Sequence, residues 1–357
     1  MKIQELTAKI RENYMKNRKE IPMEKLCRFW IQEDLLYSGK GKAMSIVFPT
    51  RGCSWSLSKY GGCTMCGYVK DTLLKTPNQE KLKKLFDGVI SSCPKEENIA
   101  IKIFTSGSFF NSKELPESVR YYILHKLSKL ENVSEISVES RPEYIKKEIL
   151  KECCEILQDK IFEVSIGLES SNDETRIYKI NKGFTLKDFE NALRKIKSLK
   201  KEFNIKTKSY ILVKPILMTE EDSIKDSINS AIYAEKVGID RISFCPATVH
   251  AGTLMENLWK WGAYRPPWIW SLVEIINKVR ETIEIPAIMD TAGMGSKRGP
   301  HNCGRCDSKL KKLIIQSNLD QSPVPEIKCK CKKRWKAEKY GERITASSGI
   351  IKYIHLR

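Results

Sequence analysis

A chain of 357 residues with 41% apolar content is long enough for one large domain with an appendage or for two ordinary domains, and it is not a disordered chain. The 63 Lys and Arg against 44 Asp and Glu leave a formal charge of +19, which attracts polyanions, chiefly nucleic acid, although a generally lysine-rich proteome produces the same excess. The charged start Met1-Lys2-Ile3 is no signal sequence, and no apolar run approaches the ~20 residues that span a bilayer. A soluble cytoplasmic protein with no membrane partner is expected, in a reducing compartment where clustered cysteines are metal ligands sooner than disulfides.

A charged helical pattern runs to about Leu36 and ends near Ser38-Gly39. Residues 45–49 read as a strand, followed by a cysteine-rich loop. Helical patterns at 78–91, 115–130, 143–157, 186–201 and 220–237 then alternate with strand patterns at 99–105, 135–139, 162–167, 205–213 and 241–245. Short β-branched runs alternating with longer amphipathic ones indicate βα units and a parallel sheet. The six strands predict an α/β fold, a partial (βα)6 barrel, with a doubly wound open sheet as the alternative. In barrels the working residues sit in the loops after the strands' C-terminal ends.

The order loosens after about Gly252. Pro266-Pro267-Trp268-Ile269-Trp270-Ser271 starts another helix, with proline in its first turn, and 285–289 is a candidate further strand. From Gly293 the composition turns to Gly, Lys, Arg, Cys and Pro, with Ser322-Pro323-Val324-Pro325 as a stiff connector. These shifts divide the chain into a helical segment 1–40, a barrel 41–292 and a basic, Cys-rich module 293–357.

Cys53, Cys63 and Cys66 stand in the glycine-rich loop after the first strand, spaced C-x9-C-x2-C. Thiolates are the usual ligands of iron–sulfur clusters. Three of them leave one iron of a 4Fe–4S cluster open, and an open position marks a catalytic metal site. Zinc is the alternative, but no further Cys or His follows until Cys93.

The loop resembles the cluster motif of radical S-adenosylmethionine (SAM) enzymes, in the long-spaced form of the elongator-catalytic-subunit-like branch. The resemblance implies a 4Fe–4S cluster and SAM, cleaved reductively to a 5′-deoxyadenosyl radical that abstracts hydrogen from substrate. Most members carry an aromatic residue before the last cysteine, on the adenine side, where this chain has Met65. Three later segments match in order. Phe104-Thr105-Ser106-Gly107-Ser108-Phe109 follows the second strand, and the resemblance sets Ser106, Gly107 and Ser108 against the SAM amino group. In Glu139-Ser140-Arg141-Pro142, after the third strand, it assigns the ribose hydroxyls to Glu139 and the SAM carboxylate to Arg141. Ser165-Ile166-Gly167-Leu168-Glu169-Ser170, after the fourth, resembles the adenine-contacting region incompletely and offers Gly167 and Glu169. A plain strand-to-helix turn at 104–109 and a helix-capping ion pair at 139–142 are the bland alternatives.

Arg51-Gly52-Cys53-Ser54-Trp55, Gly62-Cys63-Thr64-Met65-Cys66-Gly67-Tyr68, the 104–109 segment and Tyr264-Arg265-Pro266-Pro267-Trp268 resemble the archaeosine-biosynthesis radical SAM family (RaSEA), over roughly residues 40–310. The implied activity completes archaeosine in the D-loop of archaeal tRNA. A lysine-transferring subunit of archaeosine synthase first attaches lysine to a cyano-deazaguanine base, and the radical lyase then cleaves a lysine C–N bond. The implied partners are tRNA, that subunit and an electron donor that the sequence does not identify. The alternatives are another elongator-like radical SAM enzyme acting on a different nucleobase or protein, and a non-catalytic metal-bound nucleic-acid-binding protein.

Lys182-Gly183-Phe184, Lys214 and His250 lie in or near strand-end loops. Lys214 is a candidate contact for a substrate carboxylate or phosphate, although solvated lysines are commoner in so basic a chain. His250 is a proton donor or, more simply, a structural histidine. Trp259, Trp261, Trp268 and Trp270 stack on bases or, as their spacing favours, pack a core edge.

Cys303 and Cys306, preceded by His301, are followed after 22 residues by Cys329 and Cys331. Two close cysteine pairs have the logic of a tetrahedral zinc site, with His301 as a possible replacement ligand and a second cluster as the rival. Lys332, Lys333, Arg334 and Trp335, with Lys328, Lys330, Lys336, Lys339 and Tyr340, make a basic patch interleaved with aromatics, expected to dock tRNA through phosphates and stacking. Cys27, Cys93, Cys153, Cys154 and Cys245 have no ligand spacing and read as ordinary thiols.

Overall fold

The computed structural model describes residues 2–73, 75, 78–95 and 98–347, the side chains of 343–347 excepted; residues 348–357, the end of the expected basic module, lie outside the described residues. Of the described residues, those in Met1–Leu168 and Asn181–Ser209 form one compact unit, and those in Glu169–Ile180 and Tyr210–Arg357 a second.

In the first unit, α1 (Ile3–Lys16) and the short α2 (Met23–Leu26) precede β1 (Arg28–Leu36) and β2 (Gly39–Val47). The helical reading up to residue 36 therefore fails at Arg28. β1 runs antiparallel to β2, with Arg28 opposite Val47 and Leu36 opposite Gly39. Phe29, Trp30 and Ile31 are β-formers, and strand pairing overrides the charged, helix-like composition around them.

Then follow α3 (Gln79–Ile90), β3 (Ile99–Phe104), α4 (Glu117–Ser128), β4 (Val133–Ser140), α5 (Lys147–Leu157), β5 (Ile161–Glu169), α6 (Leu186–Lys197) and β6 (Ile205–Val213). Asn78 caps α3 through the Lys81 N–H, and Thr185 caps α6 through that of Asp188. β2, β3, β4 and β5 pair in parallel, with Val47 opposite Phe104, Lys102 opposite Ser137, and Ser137 opposite Glu163.

The helices bury apolar stripes, among them Leu82 and Phe86, Ile123 and Leu127, and Phe189, Leu193 and Ile196. Cys153 and Cys154 are also buried, and burial pushes both thiols up to about 12, as ordinary core residues. Side chains alternate across a strand, so every second residue faces the other way, and here those residues are polar. Buried Glu163 takes Lys208 at 2.6 Å, Ser137 Oγ at 2.7 Å and the Tyr37 hydroxyl at 3.0 Å, while Lys102 pairs with Asp34.

The second unit holds α7 (Glu220–Lys236), β7 (Arg241–Pro246), α8 (Leu254–Lys260), α9 (Ile269–Arg280), β8 (Ala287–Met289), α10 (Asp307–Asp320) and α11 (Cys331–Ser347). β7 and β8 pair in parallel, with Phe244 opposite Met289. α9 starts at Ile269 with Trp268 as its N-cap, so Pro266 and Pro267 precede the helix rather than occupying its first turn. A proline biases the residue before it away from helical backbone, and the chain stays extended until Trp268. Asn302 Oδ1 accepts the freed N–H of Ile269 at 2.9 Å.

Strand order in the sheet is chain order, β1 to β8. A doubly wound sheet reverses its order at a switch point, so that alternative is excluded. The six strands read from the sequence are β2 to β7. Among the described residues no helix is long and apolar enough to cross a membrane.

Candidate functional site

The cysteine loop leaves β2 and is held against the end of β3 by backbone and side-chain bonds within the first unit. Thr50 Oγ1 donates to the Thr105 carbonyl at 2.6 Å and accepts the Gly52 N–H at 3.0 Å. The Cys53 N–H donates to the Ser106 carbonyl at 3.0 Å. Gly107 permits this approach: a Cβ there would lie 3.0 Å from the Cys53 nitrogen and 2.2 Å from Glu114 Oε2. Ser106 takes a positive φ of 54°, which a side chain rarely adopts.

Glu114, buried and not singled out from the sequence, unites these loops. It accepts the Ser54 N–H at 2.7 Å, the Asn111 amide at 2.8 Å and the Ser108 N–H. Asn181, also missed, holds the far side of the cysteine loop. Its side-chain amide donates to the carbonyls of Gly62 at 2.7 Å and Tyr60 at 3.0 Å, while its backbone carbonyl accepts Trp55 Nε1 at 2.8 Å.

Arg141 joins the same site after β4. Its N–H donates to Ser108 Oγ at 3.1 Å and its Nε to Glu143 at 2.6 Å, with Trp55 and Phe184 rings 5.3 and 5.4 Å from the guanidinium. Burial alone would lower its pKa, but Glu143 and the charges of Cys53 and Cys63 outweigh it and hold it above its usual value. Burial conversely raises Cys53, with Arg141 opposing. Glu139 accepts the Thr105 N–H at 3.2 Å, and burial pushes its carboxyl up to about 7 against that bond and the ammonium groups of Lys182 and Lys208. The first unit thus brings Cys53, Ser106, Gly107, Ser108, Glu139 and Arg141 together. Met65 is half-buried beside Cys66, and Gly167 sits in β5.

The donor set fits an iron–sulfur cluster. Three thiols share one loop, Cys53 is in electrostatic reach of Cys66, and Arg141 supplies positive charge to Cys53 and Cys63.

In the second unit Glu169 is buried with a positive φ of 66°. Lys214 is not presented to solvent: it pairs with buried Glu220, which also accepts the Trp268 N–H at 2.7 Å and Ser271 Oγ at 2.6 Å. Trp268 and Trp270 are buried and pack, as their spacing suggested, whereas Trp261 is exposed. Trp335 differs from the stacking expectation. It is 5% exposed, with Nε1 donating to Ser271 Oγ at 2.9 Å, so it anchors α11 on α9. Lys332 pairs with Glu326 at 2.6 Å; Lys333 and Arg334 are exposed.

The four C-terminal cysteines converge, their sulfurs all within 4.8 Å of one another. Cys303 lies 3.9 Å from Cys306 and 3.7 Å from Cys329, and Cys331 lies 3.6 Å from Cys306 and 3.3 Å from Cys329. Tetrahedral Zn–S bonds of about 2.3 Å separate sulfurs by about 3.8 Å, so the set has the dimensions of a tetrahedral thiolate site. Burial raises the Cys303 thiol, but the N–H groups of Arg305 and Cys306 and its cysteine neighbours outweigh it and bring it to about 7; burial pushes Cys331 up to about 11. His301 is not in the set, its Nδ1 lying 2.8 Å from the Gly299 carbonyl. Beside the sulfurs a groove of about 460 Å³ is lined by Arg305, Lys309, Glu326, Ile327 and Lys328.

The family model of the radical SAM superfamily matches residues 47–226, which include the three loop cysteines. Archaeosine synthase subunit beta of Methanosarcina acetivorans is 36% identical to the chain, over 93% of it and 95% of that protein. The chain belongs to the archaeosine synthase subunit beta family of radical SAM enzymes. The archaeosine synthase subunit beta of Thermococcus kodakarensis is also 36% identical, over 86% of this chain and 94% of its own. Among solved structures, the archaeal Elp3 of Methanocaldococcus infernus with an N-terminal deletion is similar at a TM-score of 0.49 and 13% identity, covering 79% of this chain and 64% of that one. Membership of the radical SAM superfamily carries the α/β partial-barrel fold, a 4Fe–4S cluster and SAM.

Proposed function

We propose that Cys53, Cys63 and Cys66 hold the 4Fe–4S cluster and that the enzyme completes archaeosine in tRNA, cleaving a C–N bond of a lysine-adducted deazaguanine base. When bound, the cluster and SAM supply a one-electron cleavage yielding a hydrogen-abstracting 5′-deoxyadenosyl radical. The chain's own residues bind and orient. Arg141 places a buried positive charge beside Cys53 and Cys63, suited to the SAM carboxylate, and Glu139 offers an acceptor for the ribose hydroxyls. Ser106, Gly107 and Ser108 serve the amino group, while Met65 and Gly167 serve the adenine. Ordered side chains around the loop exclude water from a reactive intermediate.

The observation that carries this reading is the likeness to archaeosine synthase subunit beta along nearly the whole of both chains. The name subunit beta of the relatives supports a partner subunit, which the family resemblance makes the lysine-transferring one, and the chemistry requires an external electron donor. The soluble, cytoplasmic setting expected from the sequence suits a tRNA enzyme.

The C-terminal four-sulfur site holds zinc in this reading and fixes a tRNA-docking surface. Its support is the tetrahedral spacing and the neighbouring groove, where Arg305, Lys309 and Lys328 outnumber one carboxylate, Glu326, which already pairs with Lys332. Exposed Lys333 and Arg334 extend that surface, while the buried Lys214 acts on substrate only through the structure around Glu220. Nucleoside mass analysis of tRNA from a strain lacking the protein tests the activity. The lysine adduct accumulates and archaeosine disappears; archaeosine that persists with no adduct rejects the assignment.

A further inference from the structure

Arg11 lies in α1, yet it reaches into the cysteine loop of the same unit. Its Nε donates to the Gly61 carbonyl at 3.1 Å and its Nη2 to the Cys66 carbonyl. The helix comes close because Gly61 has no side chain: a Cβ there would lie 2.5 Å from the Ala8 Cα. Arg11 is 4% exposed, and Nη1, its third nitrogen, is buried and meets no acceptor among the described residues. No carboxylate pairs with it among those residues either. A buried guanidinium with a spare donor is costly unless something negative completes its shell. The loop whose carbonyls it holds carries Cys63 and Cys66.

We propose that Arg11 donates from Nη1 to a sulfur of the cluster and raises the cluster's reduction potential, an inference that rests on the three cysteines being cluster ligands. Reduction adds a negative charge, which a cationic donor stabilises, and hydrogen bonds to sulfur are among the determinants of cluster potential. α1 is then part of the redox site and not a peripheral extension of the fold.

The test is a redox titration, followed by EPR, of the anaerobically reconstituted full chain and its Arg11→Lys and Arg11→Met variants. Arg18→Met serves as the control, because Arg18, just past the end of α1, also ties the N-terminal segment to the stretch after the cysteines, through Thr72, without reaching a cysteine. The expected result is a more negative midpoint in Arg11→Met, an intermediate one in Arg11→Lys and the wild-type value in Arg18→Met. Arginine labelled with ¹⁵N adds a readout that a strut would not move: part of the nitrogen coupling to the reduced cluster vanishes in Arg11→Lys. A loaded Arg11→Met with the wild-type midpoint overturns the proposal. If Arg11→Met does not load, an unchanged midpoint and coupling in Arg11→Lys overturn it. Loss of the cluster from both variants with an intact fold makes Arg11 a strut and overturns the tuning role as well. A wild-type chain that binds no 4Fe–4S cluster instead defeats the cluster reading itself.

Discussion

Glu114 accepts the backbone N–H of Ser54 at 2.7 Å, so one buried carboxylate joins the loop that carries Cys53 to the loop that follows β3. The Ser108 N–H and the Asn111 amide bind the same two oxygens. The segments expected to hold the cluster and SAM are thereby a single hydrogen-bonded unit.

Replacing Glu114 with Ala strands the backbone N–H groups of Ser54 and Ser108, while the Asn111 amide keeps its bond to Ser54 Oγ at 2.9 Å. Each stranded buried donor costs about 1–3 kcal/mol, so a loss of roughly 3 kcal/mol is expected, with reduced iron loading. Glu114→Gln keeps one acceptor and falls between. Urea denaturation of the apo chain and iron analysis measure both effects; an Ala variant of wild-type stability would show that the carboxylate does not secure the loops.

Glu139 gives a pH signature in the SAM-free protein. Burial lifts its carboxyl from 4.5 to about 7, so between those values the folded state binds a proton that the unfolded chain releases. This contribution is complete below pH 4.5, declines as pH rises and is gone above about 7. Its full extent is at most about 3 kcal/mol. Glu139→Gln removes it, so denaturation midpoints followed across this window decline more steeply in the wild type than in the variant. Parallel profiles would mean that Glu139 ionises as in the unfolded chain.

The four C-terminal sulfurs predict one tightly held zinc per chain besides the cluster iron. Cys306→Ser loses the zinc and lowers the thermal midpoint, because the site ties the start of α10 to the start of α11, while iron loading stays unchanged. Elemental analysis of the wild type and the variant reads this directly, and zinc retained at full occupancy in Cys306→Ser would place the metal elsewhere.

Removing Arg305, Lys309 and Lys328 together weakens tRNA binding and flattens its salt dependence. Each phosphate contact contributes a little under one to the slope of log K against log salt, so a decrease of about two to three is expected. Binding curves at several salt concentrations measure it. An unchanged slope would remove the groove from the interface.

The strands β2 to β7 are legible because apolar, β-branched runs separated by helical stripes leave a periodic trace. β1 is not, because Arg28–Leu36 mixes aromatics with charges and becomes a strand through pairing with β2. α10 hides in a lysine-rich stretch, although buried Leu310 and Ile314 are one turn apart. Both cysteine sets are legible because most of their members are close neighbours in the chain. Their supports are not: Arg11 meets Gly61 across 50 positions and Asn181 meets Gly62 across 119, and a lone arginine or asparagine leaves no pattern. Trp335 misleads for the opposite reason, since a basic neighbourhood suggests solvent while its indole is buried.

The central claim is that Cys53, Cys63 and Cys66 carry SAM chemistry. Its most direct test is the anaerobically reconstituted chain assayed with SAM and reductant for cluster iron and 5′-deoxyadenosine, beside Cys53→Ser, Cys63→Ser and Cys66→Ser. A 4Fe–4S signal with 5′-deoxyadenosine release, both lost in each variant, is the predicted result. Zinc at these cysteines with no SAM cleavage would contradict it.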